Sequence, residues 1–240
     1  MDHIYNNILN ATNKEERLLA VLIDPDKMKL IHTSEFMRKV NQSIATHIFV
    51  GGSIVEKHKT KLLISEIKKY TDLPVVIFPG DSNQITGNSD ALLFLSLISG
   101  RNPDYLIGKQ IEAVSILRSV DIEVIATGYM LIENGKETSV EKVSNTKPME
   151  TENIQSIIDT AVAGEFLGMK LIYLEAGSGA KNPVNAKIIK SVKKQLNIPL
   201  IVGGGIKSKE QLENAYNAGA DLVVIGTAFE NDTSFFNELV

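Results

Sequence analysis

The amino-acid sequence predicts a single (β/α)8 TIM barrel, and three observations predict it. The chain has 240 residues, the size at which one eight-stranded α/β barrel closes. Eight short apolar runs recur along it, at 19–23, 47–50, 75–78, 91–97, 123–126, 170–174, 199–202 and 221–225. Most are continuously apolar rather than alternating, as strands covered on both faces must be, and helical patterns separate most of them. Parallel pairing through right-handed crossovers follows, with one domain expected over 1–240.

The first strand ends in Ile23-Asp24-Pro25-Asp26-Lys27, which leaves a carboxylate at its C-terminal end and a proline to fix the turn. Hard divalent cations take carboxylate, water and phosphate oxygens, so Asp24 is a candidate Mg2+ ligand; an Asp here is equally a turn or helix cap. Gly51-Gly52-Ser53 follows the second strand. Ser53 and Glu56 have the spacing of a capping box for a helix over 54–70. The Ser53 hydroxyl also stands at a strand end, and the two roles compete for it.

Residues 79–90, PGDSNQITGNSD, are too polar and too rich in turn formers for a full helix. Tyr105, beyond the fourth strand, suits either a groove floor or the core. Residues 127–150 read as an insertion with a hairpin around Glu133-Asn134-Gly135-Lys136. Both irregular stretches are expected at the barrel mouth or its side.

Tyr173-Leu174-Glu175-Ala176-Gly177-Ser178-Gly179 closes the sixth strand. With Leu174 facing the helices, Tyr173 and Glu175 share the barrel interior by the two-residue period. Strand ends on this face carry catalysis in barrels, so Glu175 is a candidate general base; the bland alternative is a structural Glu paired with a lysine. Asn182-Pro183 is expected to open a helix reaching Leu196, and Ser208 with Gln211 one reaching Ala218, stopped by Gly219.

The strongest pattern is Gly203-Gly204-Gly205 after the seventh strand with Gly226-Thr227 after the eighth. Such turns offer backbone N–H groups without side chains in the way, which makes a phosphate site at the C-terminal face of the barrel. Tight turning alone is the alternative for any one of these glycines.

Composition excludes several classes. The net charge is −4 and the lysines are spread along helical stretches, so nucleic acid is not an expected partner. The absence of cysteine removes disulfides, thiolate metal sites and cysteine nucleophiles. The longest apolar stretch, 91–98, is far short of the roughly 20 residues a membrane span needs, and a cytoplasmic protein is expected. His3, His32, His47 and His58 lie far apart without metal-ligand spacing.

Taken together, LIDPDK at 22–27, FVGGS at 49–53, VVIFPGDSNQI at 75–85, YLEAGSG at 173–179, VGGGI at 202–206 and VVIGTAFE at 223–230 resemble the geranylgeranylglyceryl phosphate synthase family, related to bacterial heptaprenylglyceryl phosphate synthases. The resemblance spans nearly the whole chain and implies the barrel fold. It implies transfer of a geranylgeranyl group from its diphosphate to the C3 hydroxyl of sn-glycerol 1-phosphate, with Mg2+ required. By motif, Asp24 and Ser53 would ligate Mg2+. Tyr173, Leu174, Glu175, Ala176, Gly177, Ser178, Gly179, Gly204, Gly205, Gly226 and Thr227 would hold glycerol 1-phosphate. Glu175 would deprotonate the hydroxyl, and Tyr173 would face the allylic carbon. The resemblance also implies a homo-oligomer. LIDPDK lacks the lysine that the heptaprenyl branch carries before its aspartate, which fits the archaeal-type branch and a C20 donor.

Two other classes share the glycine turns. A phosphosugar isomerase needs a second acid or base opposite Glu175, and an aldolase a lysine at a strand end. A non-catalytic phosphate-binding barrel would keep the glycines without needing Glu175.

Overall fold

The computed structural model describes residues 3–239. Its eight strands form a closed parallel barrel in sequence order: β1 (Leu18–Ile23), β2 (His47–Val50), β3 (Val75–Ile77), β4 (Ala91–Leu97), β5 (Glu123–Leu131), β6 (Leu171–Glu175), β7 (Leu200–Gly203) and β8 (Leu222–Ile225). All eight expected strands are present.

Alternate residues of each strand enter two separate cores. Outward residues such as Val21, Ile48, Leu174 and Val202 pack beneath the helices. Inward residues such as Ala20, Phe49, Tyr173 and Ile201 fill the barrel. This alternation within continuously apolar strands is what burial on both faces demands.

The principal helices are α1 (His3–Asn13), α2 (Thr33–Gln42), α3 (Lys59–Ile67), α4 (Lys109–Leu117), α5 (Ser139–Ser144), α6 (Ile154–Phe166), α7 (Ala186–Lys193), α8 (Lys209–Ala218) and α9 (Thr227–Asn231). α1 lies outside the strand–helix alternation: its Ile8 and Ala11 join the barrel's inner core. Its first turn is held by Glu123, which accepts from Ile4 N–H at 2.6 Å and Tyr5 N–H at 2.9 Å. A carboxylate from the start of β5 thus caps a helix 119 residues away. No helix among the described residues is long and apolar enough to cross a membrane.

α8 opens and closes as expected, with Ser208 accepting from Gln211 N–H and Gly219 in the left-handed region. Four boundaries differ. Residues 127–131 continue β5 rather than begin an insertion, pairing along β6 from Thr127↔Leu171 to Leu131↔Glu175. Gly128, within the stretch read as an insertion, is the spot where Ile98 and Ile172 press on the strand. Residues 133–136 form no hairpin; Gly135 turns the chain, which returns through a parallel bridge between Ile132 and Met149.

The third difference is that α3 starts at Lys59, not after Ser53, because Val55 is buried and pulls the intervening loop inward. Fourth, α7 is capped by Asn185, whose side chain accepts from Lys187 N–H, rather than by Asn182. Residues 79–90 contain only one short 3-10 turn, Ser82–Gln84, as their polarity requires.

Candidate active site

The C-terminal strand ends surround one cavity of about 370 Å3. At its centre is Glu175, the last residue of β6, 5% exposed. Its Oε1 accepts from Gly177 N–H at 2.6 Å, and among the described residues no lysine or arginine pairs with it. Burial pushes its pKa up to about 7, against the downward pull of the Gly177 N–H and the nearby Tyr173 hydroxyl. The lysine-paired reading of Glu175 therefore does not hold.

Four rings converge beside this carboxylate. Tyr173 stacks on Phe78 at 5.3 Å between centroids and meets Tyr129 edge-on at 5.3 Å; Phe49 lies 6.4 Å beyond Phe78. The Tyr173 hydroxyl is buried beside the Glu175 carboxylate, where both crowd Gly203. Burial, reinforced by the Glu175 charge, holds both tyrosines protonated well above the usual phenol range. Sequence reasoning found Tyr173 but missed Tyr129, because it lay in the supposed insertion, and Phe78, which ends an apolar run without a chemical signature.

The glycine turns do more than expose amides. Gly204 has φ +82°, and a methyl there would collide with Glu175 Oε1; one at Gly203 would collide with the Tyr173 hydroxyl. These two positions are small so that the tyrosine and the carboxylate fit against β7. Gly205, Gly226 and Thr227 line the same cavity. The Thr227 and Ser178 hydroxyls lie 3.3 Å apart, joining the β6 and β8 turns. Lys207, overlooked in sequence because it lies beyond the glycines, also lines the cavity and donates to Ala180 O at 2.9 Å.

Of the expected 173–179 segment, Tyr173, Glu175, Ser178 and Gly179 line the cavity. Leu174 does not: it faces the helix layer, as the two-residue period requires once Tyr173 and Glu175 face inward. Ala176 also packs into that outer core, and Gly177 serves through its N–H to Glu175 rather than as cavity wall.

Asp24 and Ser53 stand together on the opposite rim. Asp24 Oδ1 accepts from Asp26 N–H at 3.0 Å, so the turn-capping reading is correct for one oxygen. Oδ2 faces Lys27 at 3.5 Å. Ser53 does not cap α3, which leaves its hydroxyl without that competing role. Buried Gln84 fixes the neighbouring backbone, donating to Gly52 O at 2.7 Å and accepting from Gly52 N–H at 3.3 Å.

One carboxylate and one hydroxyl, both hard oxygens on a shared rim, fit Mg2+, which keeps waters and takes substrate phosphate oxygens. Among the described residues no three Asp, Glu, His or Cys side chains cluster as a protein-only metal cage, so most positions around such an ion would be filled by water or ligand oxygens.

From Glu175 the cavity continues as an apolar groove past Phe78, Leu93, Leu95, Val140 and Val143. Tyr105, which sequence left open between groove and core, does both: it lines the cavity and packs against the inner core, with its hydroxyl tied to Val143 O at 2.8 Å.

A buried carboxylate set between glycine turns and an apolar groove at the C-terminal face of a (β/α)8 frame is the layout of a barrel enzyme. Comparison with known proteins places it more narrowly. The model of the PcrB family matches residues 11–240, and the chain belongs to that family. It is 56% identical over 234 residues to a geranylgeranylglyceryl phosphate synthase of Flavobacterium johnsoniae, covering 98% of this chain and 96% of that one. Identity to the protein of the same name from Methanosphaera stadtmanae is 37% over 233 residues, 97% and 95% of the two chains. The crystal structure of (S)-3-O-geranylgeranylglyceryl phosphate synthase from Thermoplasma acidophilum, in complex with substrate sn-glycerol-1-phosphate, matches with a TM-score of 0.92. That match has 31% identity and covers 98% of this chain and 95% of that chain.

Proposed function

We propose that this protein is a prenyltransferase that joins geranylgeranyl diphosphate to the C3 hydroxyl of sn-glycerol 1-phosphate, releasing diphosphate. The observation that carries it is Glu175, buried, unpaired and titrating near neutrality where the glycine turns meet the apolar groove. The high identity to relatives bearing the synthase name supports the choice of substrates.

The hydroxyl oxygen attacks C1 of the prenyl chain, and the C–O bond to diphosphate breaks with its electron pair leaving on diphosphate. The hydroxyl proton passes to Glu175, whose pKa of about 7 suits a base at neutral pH. Gly205, Gly226, Thr227 and Ser178 hold the monophosphate, and Lys207 adds charge beside it. Phe78, Tyr129 and Tyr173 turn ring faces toward the allylic carbon, where partial positive charge develops, and keep water from it. Asp24 and Ser53 would hold Mg2+, which when bound would supply positive charge for the leaving diphosphate. The proposal includes the homo-oligomer that the family resemblance implies and the cytoplasmic location expected from the sequence.

The geometry disfavours the alternatives. No second group titrating near neutrality faces Glu175, since both tyrosines stay protonated. Lys170 lies at the other end of the barrel, over the Tyr5 ring at 5.0 Å. A non-catalytic barrel has no use for a buried unpaired carboxylate, which costs stability.

Purified protein incubated with radiolabelled sn-glycerol 1-phosphate, Mg2+ and a panel of prenyl diphosphates is expected to give a lipid-soluble phosphate, fastest with the C20 donor. Absence of product with every donor overturns the assignment.

A further inference from the structure

Lys27 lies between the two halves of the cavity. It sits on the turn after β1, yet its ammonium is 2.8 Å from Glu230 Oε2 on α9, the helix that follows the glycine of β8. On its other side Asp24 Oδ2 is 3.5 Å away. Asp24 Oδ1 already accepts from the Asp26 N–H, so Oδ2 is the less committed oxygen. The lysine ammonium therefore stands beside the Asp24 oxygen best placed to meet a divalent cation.

We propose that Lys27 makes metal binding at Asp24 conditional on diphosphate, by opposing a bare cation there and donating to the diphosphate that arrives with it. This rests on the donor reading given above. An ammonium close to Oδ2 repels a divalent ion, and the anion bound to that ion removes the repulsion. Lys27 has three donors; Glu230 retains one, and the others turn to diphosphate oxygens in place of Asp24. Glu230 is then a positioning residue that keeps the ammonium at the rim when Asp24 passes to the metal. The arrangement has a signature that a merely structural ion pair lacks: removing Lys27 affects metal and diphosphate binding with opposite signs.

Calorimetric titration of the whole protein with Mg2+ alone, and with inorganic diphosphate at saturating Mg2+, tests it. Lys27→Gln is expected to tighten Mg2+ alone several-fold and to weaken diphosphate roughly tenfold or more, and Lys27→Arg to restore both toward wild type. Glu230→Gln, which leaves Lys27 to Asp24, is expected to weaken Mg2+ alone. Diphosphate affinity unchanged in Lys27→Gln overturns the proposal, as does a change of the same sign for both ligands. A wild-type protein that binds no diphosphate with Mg2+ overturns the donor reading as well. Wild-type binding matched by Lys27→Gln overturns only the role of Lys27.

Discussion

At the N-terminal end of the barrel, Asp221 accepts from Leu200 N–H at 2.7 Å and from Lys193 at 2.6 Å. Asp90 does the same for Val75 N–H at 2.7 Å and Lys68 at 2.6 Å. Glu123 takes two N–H groups of α1. At the C-terminal end Glu175 has one backbone N–H and no cation among the described residues. The three carboxylates at the N-terminal end are satisfied and hold elements together; Glu175, apart from the rim pairs of Lys27 with Asp24 and Glu230, is held closer to its neutral form by burial. The difference teaches how a barrel can separate stability from chemistry: the same group is a clamp where it is paired and is free for the proposed proton transfer where it is not.

The largest expected effect comes from removing the base. Glu175→Gln should lower kcat by about 10²–10⁴ while calorimetric affinity for sn-glycerol 1-phosphate stays near wild type; wild-type turnover in the variant breaks the comparison. The wild-type pH profile should rise through about 7, and a profile flat from pH 5.5 to 8.5 removes Glu175 as the base. Stability should move the other way. The Glu175 pKa is raised from 4.5 to about 7, so between these values the folded state holds a proton that the unfolded chain has released. That contribution is complete below pH 4.5 and lost as pH rises through 7. In urea unfolding, Glu175→Gln should gain on wild type between pH 5 and pH 8, by at most on the order of 3 kcal/mol.

Gly204→Ala comes next. The methyl meets Glu175 Oε1 from a left-handed backbone, and a base displaced by this much should cost roughly 10²-fold in kcat. Asp221→Ala tests the clamp: it should cost about 2 kcal/mol in unfolding free energy, with kcat/KM at 25 °C changed by less than about threefold. A large catalytic loss there erases the division between the ends. Glu123→Ala is the mildest, about 1 kcal/mol, seen as faster amide exchange confined to α1.

The strands and the cavity's glycine turns were legible because burial on both faces leaves uninterrupted apolar runs and because phosphate cradles need residues without side chains. Asp24, Ser53 and Glu175 could be placed at the cavity from sequence because each stands at or just beyond the end of such a run. Phe78 and Tyr129 were not, since an aromatic at a strand end looks the same whether it fills a core or walls a cavity. The β5 boundary was misread because Gly128, needed for close packing against Ile98 and Ile172, carries the same letter as a turn glycine. Lys27, Lys207 and Gln84 act through partners distant in the chain, which no local pattern records.

The Lys–Asp–amide clamp occurs twice, four strands apart, at Lys68, Asp90 and Val75 and again at Lys193, Asp221 and Leu200. Its second copy grips β7 three residues before Gly203, which pairs with Glu175 across the β6–β7 ladder. Three residues of strand are roughly 10 Å. A slip of β7 by one residue would turn Val202 inward and bring its side chain against the Glu175 carboxyl. The ion pair at the base of the barrel therefore pins one end of a register that the β6–β7 ladder carries the rest of the way to Gly203 and Glu175, so its loss loosens the strand from below without moving the cavity wall.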